Sequence, residues 1–382
     1  MTTTVDILER LIGFNSVSAN SNLDIIAYIE GFLKERGFSV HRLPDATGEK
    51  AGIFASIGPA GAGVLLSGHT DVVPVTGQVW TKDPFKLTKE NGRLYGRGTT
   101  DMKGYVASAL ALADRASRAE LKEPLKLAFS YDEEVGCVGI KHMIGALEDT
   151  IGLPRMCFVG EPTEMNVAIG HKGKAALRVT CHGTSGHSAL APKFVNALHL
   201  ATEFVSELRH MQDKLIQDGA YDAAYDFPHS TVHVGKLTGG VALNIVPDQA
   251  VLDFEYRHLP GDSPEMLFAQ IKDRADRVSA KFDAQSGQIG ISVDQYNAYP
   301  GLDVSPDAHV VNYAQNLVKS NTCTKVPFGT EAGYFHNLGI PTIVCGPGSM
   351  DGQGHQPDEY VSEGQISKCD QMMDRLLVDL TH

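Results

Sequence analysis

Positive charge, cysteine and long apolar runs are all scarce in this 382-residue sequence. Lys and Arg total 33 against 46 Asp and Glu, a formal balance of -13. A nonspecific nucleic-acid binder needs basic surface to displace counterions from phosphates, so the balance argues against that class. The six cysteines, at positions 137, 157, 181, 323, 345 and 369, form no Cys-x-x-Cys pair. They are too sparse for a disulfide scaffold, and reduced thiols in a cytoplasmic protein are expected. No stretch approaches 18 uninterrupted apolar residues, so neither a transmembrane helix nor a membrane partner is expected. The opening MTTTVDILERLIGF carries acidic residues and no apolar centre, unlike a signal or transit peptide. Repeats and low-complexity tracts are also absent, which excludes collagen and coiled-coil architectures. The glycine-rich segments lack both the G-x-x-x-x-G-K-[ST] pattern and a dinucleotide fingerprint, so no organic cofactor is implied.

What remains is an ordinary globular composition, 42% hydrophobic and 21% charged, long enough for two or three domain-sized units. Periodicity predicts helices over 5–12 and over a segment ending near Gly37, where Ile25, Ile29, Phe32 and Leu33 share one face. Short apolar runs at 38–43, 53–57, 64–67, 125–130 and 157–159 read as strands, and the alanine-rich 103–119 as a helix between them. This is the pattern of an α/β core. The character then changes. Strands at 176–180, 231–237, 250–257 and 289–293 alternate with helices at 196–211 and 264–282, as in a separate α+β domain. Helices at 310–318 and 366–380 return to the first fold. The expected division is a catalytic domain in two parts, 1–175 and 294–382, interrupted by an inserted domain at 176–293.

Several histidines and acids follow the strand-like runs. His69 and Asp71 lie in LLSGHTDVVP, on alternate positions that face one way along an extended chain. A carboxylate there can orient the ring of a metal-binding histidine, or the pair can simply hydrogen-bond a loop. Asp101, in GRGTTDMKG, can cap the following helix or bridge two cations. Glu133 and Glu134 can solvate a loop or divide the work, one binding metal and the other moving a proton. Glu161 and His355 are each unremarked alone. Taken together, two imidazoles and several carboxylates at strand ends form a donor set that suits zinc.

Six phrases carry a resemblance across nearly the whole chain: SGHTDVVP, GRGTTDMKG, YDEEVG, VGEPT, GTSGHSALAP and GPGSMDGQGHQPDEY. In these motifs and their order the sequence resembles the M20 metallopeptidase and amidohydrolase family. The resemblance implies a zinc-peptidase-like mixed sheet with an inserted lid and dimerisation domain, and two Zn2+ per subunit, replaceable by Co2+ or Mn2+. His69 and Glu161 would hold one metal, Glu134 and His355 the other, and Asp101 would bridge them. Asp71 would orient His69, Glu133 would serve as general base, and a cis peptide would follow Asp101. His187 would stabilise the oxyanion, from its own or the opposite subunit of a homodimer. Arg257, Asn244, Gly348 and Ser349 would contact the substrate, although by its residue type alone Arg257 could equally make a surface salt bridge. Glu331, in PFGTEAGYF, is a further pocket candidate that could attract a cationic substrate amine or make a structural contact. The implied reaction is deacylation of an N-acyl amino acid, N2-acetyl-L-ornithine foremost, with N-acetylcitrulline and N-succinyl-diaminopimelate as alternatives. A noncatalytic dimeric binding protein is the alternative of a different class.

Overall fold

A computed structural model describes residues 3–282 and 289–382. The chain forms two compact units. The first comprises Met1–Gly170, Leu302–Val326 and Thr330–His382, and the second His171–Gly301 and Pro327–Gly329. The boundaries expected at 175/176 and 293/294 fall inside the strands Gly173–His182 and Gly290–Tyr299. These two strands pair with each other from end to end, which moves the breaks outward to the strand termini.

The first unit is built on a mixed sheet. Its central strands, in spatial order, are Leu125–Ser130, Val64–His69, Met156–Pro162 and Thr342–Gly346, all mutually parallel. The hairpin Ser39–Pro44 and Ala51–Ile57 adds an antiparallel edge on one side. On the other, Val167–His171 runs antiparallel to Thr342–Gly346 and leads on to Leu302–Asp303. Every residue of the four central strands is buried. Such continuous apolar runs belong to parallel strands covered on both faces. The helix Lys103–Ala116 is also buried along nearly its whole length. Its small residues allow this: a Cβ on Gly104 would lie 2.4 Å from the Thr99 carbonyl oxygen.

The second unit obeys a different rule. Four antiparallel strands lie in the order Thr231–Gly239, Gln249–His258, Gly173–His182 and Gly290–Tyr299. In Gln249–His258 burial alternates residue by residue, as in a sheet with one face on a core and the other open. The helices Ala197–Asp218 and Pro264–Lys281 cover the buried face. Leu200, Phe204 and Leu208 of one and Ile271 and Val278 of the other meet Leu177, Val179, Leu252 and Phe254 in this core. Both helices start on side-chain caps. Asn196 accepts from Leu198 N at 2.9 Å, and Ser263 accepts from Met266 N at 3.3 Å with Pro264 in the first turn. Among the described residues, no helix is long and apolar enough to cross a membrane.

Candidate metal centre

The carboxyl ends of the four parallel strands place the polar residues of the first unit. His69 is the last residue of its strand, Glu161 lies one residue before the end of its own, and Glu133 and Glu134 follow the strand ending at Ser130. Ligand sites in open α/β sheets form at this edge. Asp101 arrives from the GRGTTD turn, where Gly98 has φ +87° and a Cβ would press Val72 at 2.7 Å. The Asp101–Met102 peptide is cis.

Asp101 does not cap the helix it precedes. Met102 occupies the cap position, and no side chain bonds the first turn. Instead its two oxygens face two histidines: Oδ1 lies 3.1 Å from His69 Nε2 and Oδ2 lies 3.1 Å from His355 Nε2. Around His69, Glu161 Oε1 stands at 3.6 Å. Around His355, Glu134 Oε2 stands at 3.0 Å. One donor atom from each of His69, Glu133 and Glu161 falls within 4.8 Å of the others, and the same holds for His69, Asp101 and Glu134. Sequence positions 69, 101, 133, 134, 161 and 355 thus converge on one cluster.

Asp71 does more than the H-x-D spacing conveys. His69 Nδ1 lies 3.0 Å from the Asp71 main-chain oxygen and 3.5 Å from its carboxylate. Donation from Nδ1 to that oxygen leaves the Nε2 lone pair turned toward Asp101 and Glu161, the tautomer a metal ligand requires. The Asp71 carboxylate meanwhile accepts from Ser18 Oγ at 2.7 Å, Glu133 N at 3.1 Å and Glu134 N at 3.3 Å. It therefore anchors the turn that presents both glutamates.

The electrostatics of the cluster call for positive charge. Burial and the neighbouring acids hold the Glu133 and Glu161 carboxyls well above the ordinary range, and Glu134 is pushed up to about 7 by burial and by Asp101. Burial would lower His69, but Glu161, Asp101 and Asp71 override it and hold the ring well above its usual value. Asp101 is lowered against its own burial by His355 and His69. Hydrogen bonds to Asp101 and Glu134 raise His355 to about 10. Two carboxylate oxygens, Glu134 Oε1 and Glu161 Oε1, are buried with no hydrogen-bond donor among the described residues. A buried acceptor without a donor is costly, and a cation satisfies it. The set of oxygen and imidazole nitrogen donors fits divalent transition metals, zinc among them.

Residues outside the expected set hold this arrangement. Glu359 is buried beside Arg97, with Arg97 Nη1 at 2.6 Å from its Oε2. Its Oε1 accepts main-chain N–H groups from Gly98 at 3.0 Å, Thr100 at 2.9 Å and Asp101 at 3.2 Å. The available signal was an acid and an arginine inside two of the six phrases, GHQPDEY and GRGTTD. Cys137 Sγ lies 3.3 Å from Glu133 Oε1.

The remaining expected residues fall into two groups. Gly348, at φ +93°, and the buried Ser349 follow the strand Thr342–Gly346 in the first unit. Glu331 is only 1% exposed, and Ser130 Oγ donates to its Oε1 at 2.5 Å. Burial raises its carboxyl to about 7. This placement weighs against a charge presented directly to a substrate amine, because burial favours the neutral acid. His187, Asn244 and Arg257 belong to the second unit. The first two are neighbours there: His187 pairs with Ile245, and Ser188 N donates to Asn244 O at 3.0 Å. His187 Nδ1 also accepts from Ala189 N at 3.0 Å, capping a short turn, and Arg257 Nε lies 3.0 Å from Glu255 Oε1.

A mixed sheet that gathers two imidazoles and three glutamates around a shared aspartate provides clustered ligand sets that suit a dinuclear metal centre, the mark of a metal-dependent hydrolase. The sequence model of peptidase family M20/M25/M40 matches residues 65–379, and the chain belongs to that family. Solved structures of similar fold include an M20 family metallo-carboxypeptidase from Sulfolobus solfataricus, with 20% identity, TM-score 0.79, and coverage of 100% of this chain and 99% of that one. The dipeptidase Dug1p from Saccharomyces cerevisiae aligns at 17% identity and TM-score 0.76, over 99% of this chain and 95% of that one. The Bacillus subtilis YXEP protein, a dinuclear metal-binding M20 peptidase, aligns at 16% identity and TM-score 0.68, over 99% and 97%.

Proposed function

We propose that the protein is a two-zinc deacylase of N-acyl amino acids, and that its substrate is N2-acetyl-L-ornithine, hydrolysed to acetate and L-ornithine. The observation that carries the chemistry is Asp101 set between two histidine–glutamate pairs whose buried carboxylates have oxygens without donors. The substrate assignment is drawn from the phrase GPGSMDGQGHQPDEY and the order of the other motifs.

Divalent cations bound there would supply a readily deprotonated water and positive charge for the developing oxyanion. His69 and Glu161 would hold one, Glu134 and His355 the other, and Asp101 both. Glu133 takes a proton from the attacking water at a carboxylate oxygen and returns one to the leaving amine nitrogen. Asp71 fixes the turn on which Glu133 sits. His187, Asn244 and Arg257 are assigned to the substrate side of the reaction, Arg257 by the match of a guanidinium to an α-carboxylate. Gly348 and Ser349 are assigned to the same carboxylate. Cobalt or manganese would satisfy the same donors. The six unpaired cysteines accord with a reducing compartment, and we place the protein in the cytoplasm as a homodimer.

The decisive experiment is hydrolysis by metal-reconstituted protein across acetylornithine, acetylcitrulline, succinyl-diaminopimelate and, because a dipeptidase shares the fold, simple dipeptides. Acetylornithine is expected to give the highest kcat/KM, and a higher value for any other member overturns the substrate assignment. Absence of hydrolysis across the panel would favour a binding protein. Solution mass at several concentrations tests the dimer. Mixing His187→Ala with Glu133→Ala protein recovers activity only if His187 acts across subunits.

A further inference from the structure

His69 and Glu161 are fixed by strands, whereas His355 lies in a turn segment with its side chain 42% exposed and its main chain at φ +60°. Non-glycine residues seldom hold that left-handed conformation unaided. A ligand so placed needs its backbone fixed from outside.

The fixing contact comes from residue 78. Gln78 Nε2 donates to the His355 main-chain oxygen at 2.8 Å. Its Oε1 accepts from Trp80 Nε1 at 3.1 Å and from Arg97 Nη2 at 2.5 Å. Indole and guanidinium N–H groups can only donate, so the amide cannot turn over, and its NH2 must face His355. The same Arg97 binds Glu359, whose other oxygen holds the N–H of Asp101. One guanidinium therefore links the amide that fixes His355 to the carboxylate that fixes Asp101. Asp358 ties the two segments together again, accepting from Thr81 N at 2.9 Å and Thr81 Oγ1 at 2.7 Å.

We propose that Gln78 is a positioning residue for the second cation, acting through the main chain of His355; the proposal rests on the two-cation reading above. Trp80 is the only tryptophan in the chain and donates to the same amide, so it reports on this contact.

The test uses Gln78→Glu in the full-length protein. Glutamate still accepts from Arg97 and Trp80 but has no N–H for His355, and it sets an oxygen against the His355 carbonyl. Chelated protein is titrated with Zn2+ against a competing chelator while tryptophan emission is followed. In the wild type two binding steps are expected, one of which changes the emission. In Gln78→Glu that step weakens by about 10–100-fold, the range for residues that orient metal ligands. The other step is unchanged, and His355→Ala abolishes the affected one. Gln78→Met, of similar length and without the donor, is expected to weaken the same step. The proposal is overturned if both steps keep wild-type affinity in Gln78→Glu. Equal weakening of both steps, or failure of both variants to fold, overturns it in favour of a purely structural role. A wild type that binds only one cation removes the two-cation reading itself, an outcome visible before any variant is made.

Discussion

The two halves of the metal cluster stand on different footings. His69 and Glu161 sit in neighbouring buried strands, 1% and 4% exposed, with main chains held by the sheet. Glu134 and His355 come from turns: Glu134 N donates to the Asp71 carboxylate, and the His355 main-chain oxygen accepts from Gln78, which Arg97 holds in turn. Asp101 serves both halves. A site of this design has one position set by the core and another set by contacts that can change without disturbing the core. The two should differ in how tightly they hold a cation and in how mutation affects them.

The largest expected effect follows from breaking the shared residue. Asp101→Asn removes a negative charge from both halves, and turnover should fall by about 10³-fold or more, with both cations weakened. Asp71→Asn leaves the ligands in place and should cost about 10–100-fold in metal affinity. Metal analysis alongside a structure of each variant decides the matter. An intact two-metal centre in Asp101→Asn would remove the bridging assignment.

Glu133→Ala is next, with an expected loss of about 10²–10⁴-fold in turnover and retention of much of the bound metal. Near-normal turnover by the fully loaded variant would eliminate Glu133 as the base. The comparison itself is sharpened by His355→Ala and Glu161→Ala. The former should keep one cation on the strand-borne half with little change in affinity. The latter should disturb a position that the sheet cannot rebuild. Stoichiometry from elemental analysis distinguishes the two, and equal losses would refute the division into fixed and adjustable halves.

The smallest effect concerns pH. In the metal-free fold Glu134 titrates near 7, against an ordinary value of 4.5. Its folded value is raised, so the folded state binds the extra proton, and this contribution to stability is lost as pH rises from below 4.5 through about 7. A cation replaces the proton. The rise in Tm on adding Zn2+ should therefore grow between pH 5 and pH 8, and a shift independent of pH would show that Glu134 is not displaced from its proton by metal.

The α/β class was legible because the central strands are buried on both faces and read as uninterrupted apolar runs. The second unit was legible because its helices carry caps and its strands alternate. The strand Thr342–Gly346 offered a usable run, TIVCG between two prolines, but nothing local indicates that it enters the sheet beside Met156–Pro162, a pairing set by tertiary contacts. Between Val138 and Ile151 the chain forms two short helices, Val138–Met143 and Leu147–Ile151, joined by a 3-10 turn. In the site, residue types and motif order brought out the six clustered positions. Local sequence left Asp101 undecided between cap and ligand, because the choice depends on His355, 254 residues away. Gln78 and Glu359 escaped notice because they hydrogen-bond main-chain atoms, and Arg97 because it holds their side chains; neither role leaves a spacing pattern.

The path of the chain through the first unit has a consequence for how such proteins diversify. The chain leaves that unit after Gly170, at the end of Val167–His171, and returns at Leu302, in the neighbouring strand of the same sheet, leaving it again only for Pro327–Gly329. Adjacent exit and entry points impose almost no loop-closure demand on what lies between them. The intervening segment can be lengthened, shortened or exchanged as a cassette while the strands that carry His69 and Glu161 keep their neighbours. Recombination can then vary the inserted unit on an unchanged first unit, and a designer can do the same by grafting at Gly170 and Leu302.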